Sequence, residues 1–410
     1  MEKRITWIDT VRGGAMICVV LGHLGVGFIN DIVYAFHMPV FFMLTGYMVR
    51  INQKELDCKV VQKKFLSLMR PYFITCFYIL SMDIINSIII WKNASIEEIT
   101  KIVSDDLIRS FFASGSISQF GNISLSGRIG AIWFLPAMFF ASIVAQYLLT
   151  RLYSWKKQFS IAILLFILAV VIRDFIWFPF SVQAAGSSVV FILLGYYLLE
   201  RGFSNKKYLI ISSLILVFGI IAKYSRIYMV ESSFQDLFFS PVVAVAGVIV
   251  FIHIMKKMDR ISYLNFIGRY SLVFLCVHLF EMETMWYWFE QIIIVRWLNV
   301  GEDYRILALF IIKLIFISSI TFIIVKINQW MKNRKAPVAY SISSKRDLTI
   351  DGARTVAIIV MIVGYFSVNF SFGKILYSVC ISIFLFFSGF FYKKQNLCIG
   401  IRKHAKMLLI

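Results

Sequence analysis

The chain has 410 residues, of which 60% are hydrophobic and only 16% are charged, and 40 of them are Phe. Its mean hydropathy is +0.80, whereas a typical soluble domain is about half apolar and a quarter charged. This composition excludes a soluble enzyme, a disordered chain and a collagen-like array. It predicts an all-α, polytopic membrane helix bundle, and the length allows roughly a dozen spans of about 20 residues each.

The net charge is +20, from 42 Lys and Arg against 22 Asp and Glu. The basic residues form short clusters between apolar runs and no continuous basic face, so nucleic acid is not an expected partner. The six cysteines have neither a CxxC motif nor a Cys/His spacing typical of a metal site. The expected partner that follows from composition is the lipid bilayer.

The apolar runs predict ten spans followed by two more. In chain order these are 11–30, 32–49, 69–91, 131–150, 159–178, 184–200, 207–223, 236–255, 267–289, 304–327, 349–371 and 374–392. Every loop from an even-numbered to an odd-numbered span is basic, and the opposite loops are mixed or carry few charges. The positive-inside rule therefore predicts a multi-pass protein of the cell membrane with both termini in the cytoplasm.

One loop, 92–130, is long. Its residues 96–112 combine a helical apolar period with charged positions between. This pattern predicts an interfacial amphipathic helix. A lid over an outward-facing site is the functional alternative.

Near its end the chain begins to repeat itself. Arg4–His23 matches Arg346–Tyr365 at a constant offset, and His23 corresponds there to Tyr365. The expected organisation is a membrane unit of ten helices at 1–330, a cytoplasmic linker at 331–345 and an incomplete, degenerate second copy at 346–410. Because the second copy has lost this histidine, any chemistry is expected in the first.

Ionisable residues inside spans are costly, so they are functional candidates by default. Arg12 and His23 are eleven residues apart, which places both on one face of the first span and about 16 Å apart along its axis. His37, near the start of the second span, is expected at a depth similar to that of His23. The structural alternatives are snorkelling of Arg12 toward Asp9, a helix–helix hydrogen bond of His23, and a hydrated interfacial His37.

Further along the chain, His278 falls near the middle of the ninth predicted span, and Glu281 shares its helix face three residues later. A structural hydrogen bond is the alternative role for His278. Trp133 opens the fourth span and could simply belong to an aromatic belt. His253, beside basic residues at the end of the eighth span, is interpreted as structural.

These residues resemble the acyltransferase 3 family of membrane O-acyltransferases. Arg12 and His23 within IDTVRGGAMICVVLGH match the family's hallmark of an Arg and a His separated by ten residues. The segment FHMPVFFMLTGY, which contains His37, resembles the fucose 4-O-acetylase-like branch. The elements AIWFLPAMFF, ILLGYYL and IGRYSLVFLCVHLF follow in the expected order, and the resemblance covers about residues 4–330.

The resemblance implies a ten-helix bundle that transfers an acyl group, usually acetyl, from cytoplasmic acyl-CoA to a hydroxyl of a cell-envelope or exported glycan. Acyl-CoA is then a donor substrate, and no tightly bound cofactor or metal is implied. By this analogy, Arg12 binds the donor, and His23 is the general base. Trp133 and His278 line the cavity.

The same analogy assigns donor binding to Arg70, supported by Lys63 and Lys64. Similar family members often carry two arginines three residues apart before the third span, and here Ser67 stands at the other position. His37 would orient His23 or donate to the oxyanion. Direct transfer and an acyl-histidine relay are both open.

Three other functions compete with this one. The first is a transporter or export partner for a lipid-linked sugar, without covalent chemistry. The second is a membrane sensor or binding module. The third keeps the acyltransferase chemistry but makes the acceptor a small molecule or an amino acid.

Overall fold

The computed structural model describes most of the first 333 residues. The described residues are 5–52, 56–89, 95–113, 115, 119–120, 123–124, 129–173, 175–202, 206–285, 289, 293 and 301–333. They belong to one compact unit, Met1–Ala336. The predicted partial copy at 346–410 lies outside the described residues, as does all but the beginning of the predicted linker.

The described part of the chain is mainly α-helical, as predicted. The helices are α1 (Thr6–Gly22), α2 (Gly27–Asn52), α3 (Cys58–Lys64), α4 (Arg70–Ile89), α5 (Ile96–Phe112), α6 (Phe134–Arg151), α7 (Trp155–Ile172), α8 (Val182–Gly202), α9 (Lys206–Ile221), α10 (Phe239–Lys257), α11 (Ser262–Arg269), α12 (Ser271–Thr284) and α13 (Glu302–Asn333). Two short antiparallel hairpins connect helices: β1 (Gln119–Phe120) with β2 (Ile123–Ser124), and β3 (Ile227–Tyr228) with β4 (Ser233–Phe234).

Within the described residues, seven helical stretches are long and apolar enough to cross a membrane. These are Gly27–Arg50, Cys58–Ile85, Gly130–Arg151, Trp155–Ile172, Pro179–Leu198, Phe239–Lys257 and Tyr304–Trp330. The bent pair α11–α12 would make eight. The first and seventh predicted spans correspond to α1 and α9, which are shorter helices of 17 and 16 residues. The multi-pass character is thus confirmed, and the count of ten plus two stays a prediction.

Burial separates the inner helices from the outer ones. The helices α2, α6 and α8 contribute large side chains to the core, among them Phe42, Leu135 and Phe191. By contrast, α7 and α9 expose apolar side chains such as Leu164 and Leu214. Exposed apolar helix faces are expected where the surrounding solvent is lipid, so these faces fit a bilayer environment.

Glycines let two helix pairs approach closely. A Cβ at Gly13 of α1 would overlap the backbone of Leu264 in α11, and one at Gly268 would overlap the carbonyl of Asp9. On the other side of the bundle, Gly46 of α2 and Gly195 of α8 meet each other's helix backbone in the same way. Small residues drive helix association in membranes because they permit such backbone contact.

The ninth predicted span, 267–289, differs from the observed structure. The chain forms α11 from Ser262, and α12 then continues at an angle of 81° to it. Contact with α1 explains the early start, because α11 lies across α1 at the two glycines. Thr10 of α1 adds a hydrogen bond from its hydroxyl to Asn265 Oδ1, at 2.8 Å. After the bend at Tyr270, α12 contacts both α1 and α4.

The third span begins with α3 and becomes continuous with α4 through a π-helical turn at Phe65–Met69. In this turn the Arg70 amide donates to the Phe65 carbonyl, and Pro71 follows. Since Pro71 has no N–H to continue the regular helical ladder, a local irregularity is expected here. The turn places Arg70 on an exposed surface.

The predicted amphipathic helix at 96–112 is confirmed as α5. Ser95 and Glu98 form a capping box at its start, and α5 packs against α4, where the Tyr72 hydroxyl donates to the Ser110 carbonyl. Asp106 is only 4% exposed and lies 2.8 Å from Arg109 Nη1. Burial raises the pKa of the Asp106 carboxyl, and Arg109 opposes this shift.

Candidate functional site

The site begins where α1 ends. Arg12 lies within the helix, and His23 is the C-terminal cap residue, whose amide donates to the Val19 carbonyl at 3.3 Å. The helix is continuous from Thr6 to Gly22, so the predicted axial separation of about 16 Å between Arg12 and His23 applies. The two residues therefore lie toward opposite ends of one helix.

The imidazole that packs against His23 belongs to His278 of α12. Their ring centroids are 5.5 Å apart, and the ring planes are inclined at 47°. His37 was predicted at a depth similar to that of His23, and its role in orienting His23 stays a prediction. Among the described rings, His278 is in contact with His23.

His278 belongs to a polar cluster that joins α12 to α13. Its Nδ1 lies 3.4 Å from Glu281 Oε2, and Glu281 Oε1 lies 2.7 Å from Lys313 Nζ. The side chains of His278 and Glu281 are 0% exposed, and that of Lys313 is 1% exposed. A fully buried charge is tolerated only with a partner, so this cluster is a candidate for function.

His37 lies on α2, one turn after Val33. Its Nδ1 is 2.8 Å from the Val33 carbonyl, which can only accept, so Nδ1 carries the proton and Nε2 is the basic nitrogen. The Tyr34 ring packs edge-on against His37 with centroids 5.0 Å apart, and its hydroxyl donates to the Gly22 carbonyl at 3.3 Å. Tyr34 thus connects His37 to the residue before His23.

Trp133 ends the 3-10 turn Gly130–Trp133 that opens α6. Its side chain is 5% exposed, and the turn packs against α12, the helix of His278. The next residue, Phe134, contacts Phe42 of α2 with ring centroids 5.4 Å apart. Trp133 is therefore an interior side chain in a turn that packs against α12, and its role as a cavity residue stays a prediction.

The basic residues before the third span, which are candidates for donor binding, differ in their exposure. Arg70 and Lys63 are exposed. Lys64 is turned into the bundle, where its ammonium donates to the carbonyl and the hydroxyl of Ser142 at 3.0 and 3.1 Å. These contacts do not test donor binding by Arg70, which stays a prediction.

Sequence reasoning missed Lys313 and Tyr34. The sequence contains a signal for Lys313, because this residue interrupts the apolar run IIKLIF within the tenth predicted span. It contains no signal for Tyr34, since a tyrosine near the end of a span is ordinary in an aromatic belt. Among the described residues, no group of three or more His, Cys, Asp or Glu side chains could hold a metal ion.

The arrangement is suited to proton transfer. A histidine at a helix end is packed against a second histidine, and a carboxylate stands beside the second ring at 3.4 Å. This order resembles the logic of a base supported by an orienting, charged group. Lys313 compensates the carboxylate when both imidazoles are neutral.

Comparison with known proteins identifies the family. The family model for an acyltransferase domain matches residues 5–327, from the start of α1 to near the end of α13. Neither the curated proteins nor the solved structures gave a match. Because the matched segment covers well over half of the chain and includes both histidines of the pair, the protein belongs to the acyltransferase 3 family and is a multi-pass membrane acyltransferase.

Proposed function

We propose that the protein is a membrane O-acyltransferase that moves an acyl group, in the first instance acetyl, from cytoplasmic acyl-CoA to a hydroxyl of a cell-envelope or exported glycan. The observation that supports this proposal is the contact between His23 and His278, backed by a buried carboxylate. Hydroxyl transfer requires a base at the acceptor, and the pair supplies one on the helix that also carries Arg12. The fucose 4-O-acetylase-like motif around His37 favours a sugar acceptor.

In the proposed reaction His23 is the general base. It takes the proton from the acceptor hydroxyl as the oxygen forms a bond to the acyl carbon and the carbon–sulfur bond of the thioester breaks. The proton then passes from His23 to the departing CoA thiolate. In the relay version, His23 first carries the acyl group itself and the hydroxyl attacks that intermediate.

The donor is assigned to the other end of α1. Arg12 would bind the phosphates of acyl-CoA, with the basic residues before the third span in support. Lys256 also lies at this end, where its ammonium is 4.3 Å from the centroid of the Trp7 ring. The thioester end of the donor would then extend along α1 toward His23.

The test is O-acetyl content of the envelope glycan, measured by NMR in a host that lacks the gene and is complemented with wild type, His23→Ala or His253→Ala. His253 lies near the end of α10, away from the pair, and is the matched histidine control. We expect wild type and His253→Ala to restore the acetyl signal, and His23→Ala to lose it by at least about 10²-fold.

Transfer of label from acetyl-CoA to the glycan in proteoliposomes separates an enzyme from a transporter. Sugar export without labelling would favour the transporter for a lipid-linked sugar. Full activity of His23→Ala would contradict both the direct and the relay mechanism.

A further inference from the structure

We propose that Glu281, held in place by Lys313, is the counter-ion that stabilises the positive charge formed on the His23–His278 pair during acyl transfer. This inference rests on the proposed function and adds two positioning residues to it. Neither residue contacts the reacting atoms in the proposed mechanism. Both act through the histidines.

The two oxygens of the Glu281 carboxylate have different partners. Oε1 of Glu281 lies 2.7 Å from Lys313 Nζ, and Oε2 lies 3.4 Å from His278 Nδ1. Lys313 of α13 therefore pairs with one carboxylate oxygen, and the other stands beside the imidazole of α12. A carboxylate in this position favours a proton on the Nδ1 that faces it.

The net charge of the cluster of His278, Glu281 and Lys313 changes during the proposed reaction. With neutral imidazoles, the cluster contains one negative and one positive group and has no net charge. When His23 takes the acceptor proton, a further positive charge appears one ring contact away from His278. His278 and Glu281 are fully buried, so water solvates charge poorly on this side of His23, and the Glu281 carboxylate lies 3.4 Å from the imidazole that contacts His23.

Protein stability is not a sufficient reason for the Glu281–Lys313 ion pair. Replacing a buried ion pair with apolar residues of similar size is often neutral or stabilising, because desolvation offsets the attraction between the charges. Inside a bilayer the cost of two ionisable groups is also high. Stability alone therefore does not account for Glu281 and Lys313, whereas a demand for negative charge beside a base does.

In the proposed reaction Glu281 orients His278 and exchanges no proton. His23 takes the acceptor proton and returns it to the CoA thiolate, while His278 keeps its Nδ1 proton and Glu281 remains ionised. No proton leaves the cluster in a turnover. Glu281 acts through its charge and its position.

The test uses three variants of the full-length protein in proteoliposomes: Glu281→Gln, the neutral double variant Glu281→Leu/Lys313→Leu, and the exchange variant Glu281→Lys/Lys313→Glu. The exchange variant keeps an ion pair between α12 and α13 but puts the cation beside His278. The acceptor is unacetylated envelope glycan from the host that lacks the gene, and the donor is labelled acetyl-CoA. Monodisperse elution and thermal melting report folding.

We expect Glu281→Gln and the exchange variant to lower kcat by about 10²-fold or more, with KM for acetyl-CoA within a factor of three. The neutral double variant should fold like wild type and lose kcat to the same extent, even if Glu281→Gln alone is unstable. If the neutral double variant or the exchange variant folds and retains wild-type kcat, the pair is structural and the inference is wrong.

The same assay includes wild type and His23→Ala. An inactive wild type or an active His23→Ala would contradict the proposed function, and the inference would be overturned with it. An inactive His23→Ala beside an active exchange variant would overturn the inference alone.

Discussion

At the residue scale, the candidate site depends on polar side chains that are individually unfavourable in a membrane. His278, Glu281 and Lys313 are completely buried and come from two helices. Their distances show that each has a charged or polar neighbour, as buried charges require. The function proposed for the site uses this same set of neighbours.

Arg12 provides a prediction about the donor. We expect Arg12→Gln to raise KM for acetyl-CoA by about tenfold or more while kcat changes less, because a planar guanidinium binds phosphate in a bidentate manner. Arg12→Lys should recover only part of the loss. The measurement is transfer of label from acetyl-CoA in proteoliposomes.

The control for Arg12 is Arg151→Gln, an exposed arginine at the end of α6, which should behave as wild type. If Arg12→Gln changes kcat alone and leaves KM for acetyl-CoA as it is, Arg12 does not bind the donor.

At the element scale, the crossing of α1 and α11 determines the geometry of the site. Gly13 and Gly268 allow the two helix backbones to touch, and the bend of 81° after α11 sends α12 past His23. A change at this crossing would displace α12 and with it His278. Helix contact at one end of α1 thus contributes to the position of the candidate site at the other.

Substitution of Gly268 tests this crossing. We expect Gly268→Ala to lower the free energy of unfolding by about 1–3 kcal/mol, because its Cβ would overlap the Asp9 carbonyl and a backbone cannot move aside cheaply. Gly27→Ala is the matched control, since a Cβ there meets nothing within 4 Å. Thermal melting in detergent compares the two, and equal melting temperatures would contradict close packing at Gly268.

A separate contact joins the β3–β4 hairpin to α2. Arg226, just before β3, pairs through its Nε with Asp31 of α2, and its Nη2 lies 3.4 Å from the Gly27 carbonyl. Asp31 also raises the pKa of the Arg226 guanidinium. Tyr228 of β3 packs against Tyr34 with ring centroids 5.4 Å apart. The hairpin β3–β4 therefore rests on the same tyrosine that contacts His37.

At the scale of the whole molecule, the mechanism requires donor and acceptor to reach the bundle from opposite sides of the membrane. The basic loops predict that the N-terminal end of α1 faces the cytoplasm. On that prediction Arg12 is on the donor side and His23 is nearer the acceptor side. The orientation is thus a requirement of the proposed function.

Cysteine labelling tests the orientation. Cys58 is a free, exposed thiol at the start of α3, in a basic loop predicted to be cytoplasmic. A membrane-impermeant maleimide should leave Cys58 unlabelled in intact cells and label it after permeabilisation. Glu97→Cys, on exposed α5 in a loop predicted to be outside, should be labelled in both cases. Labelling of Cys58 in intact cells would reverse the predicted topology.

The sequence predicted much of the fold, and it proposed site residues that stay predictions, but it did not predict the contact between His23 and His278. Spans, basic loops and the amphipathic helix follow from local patterns. His23, His37 and His278 stood out as ionisable residues in apolar runs. His37 was placed near His23 from depth, and depth specifies only one coordinate of a position in a membrane. The ring contact between His23 and His278 depends on how α12 packs against α1.

What the sequence by itself determined is the membrane class and the family, together with a set of candidate residues for chemistry. Each spanning segment partitions into lipid largely on its own hydropathy, so these features can be read one segment at a time. Only the tertiary structure decided that α12 lies beside α1, that His278 meets His23, and that Lys313 reaches Glu281. These contacts depend on the lateral packing of helices, which is set by shape complementarity and by small residues such as Gly13 and Gly268. Hydropathy does not encode that arrangement.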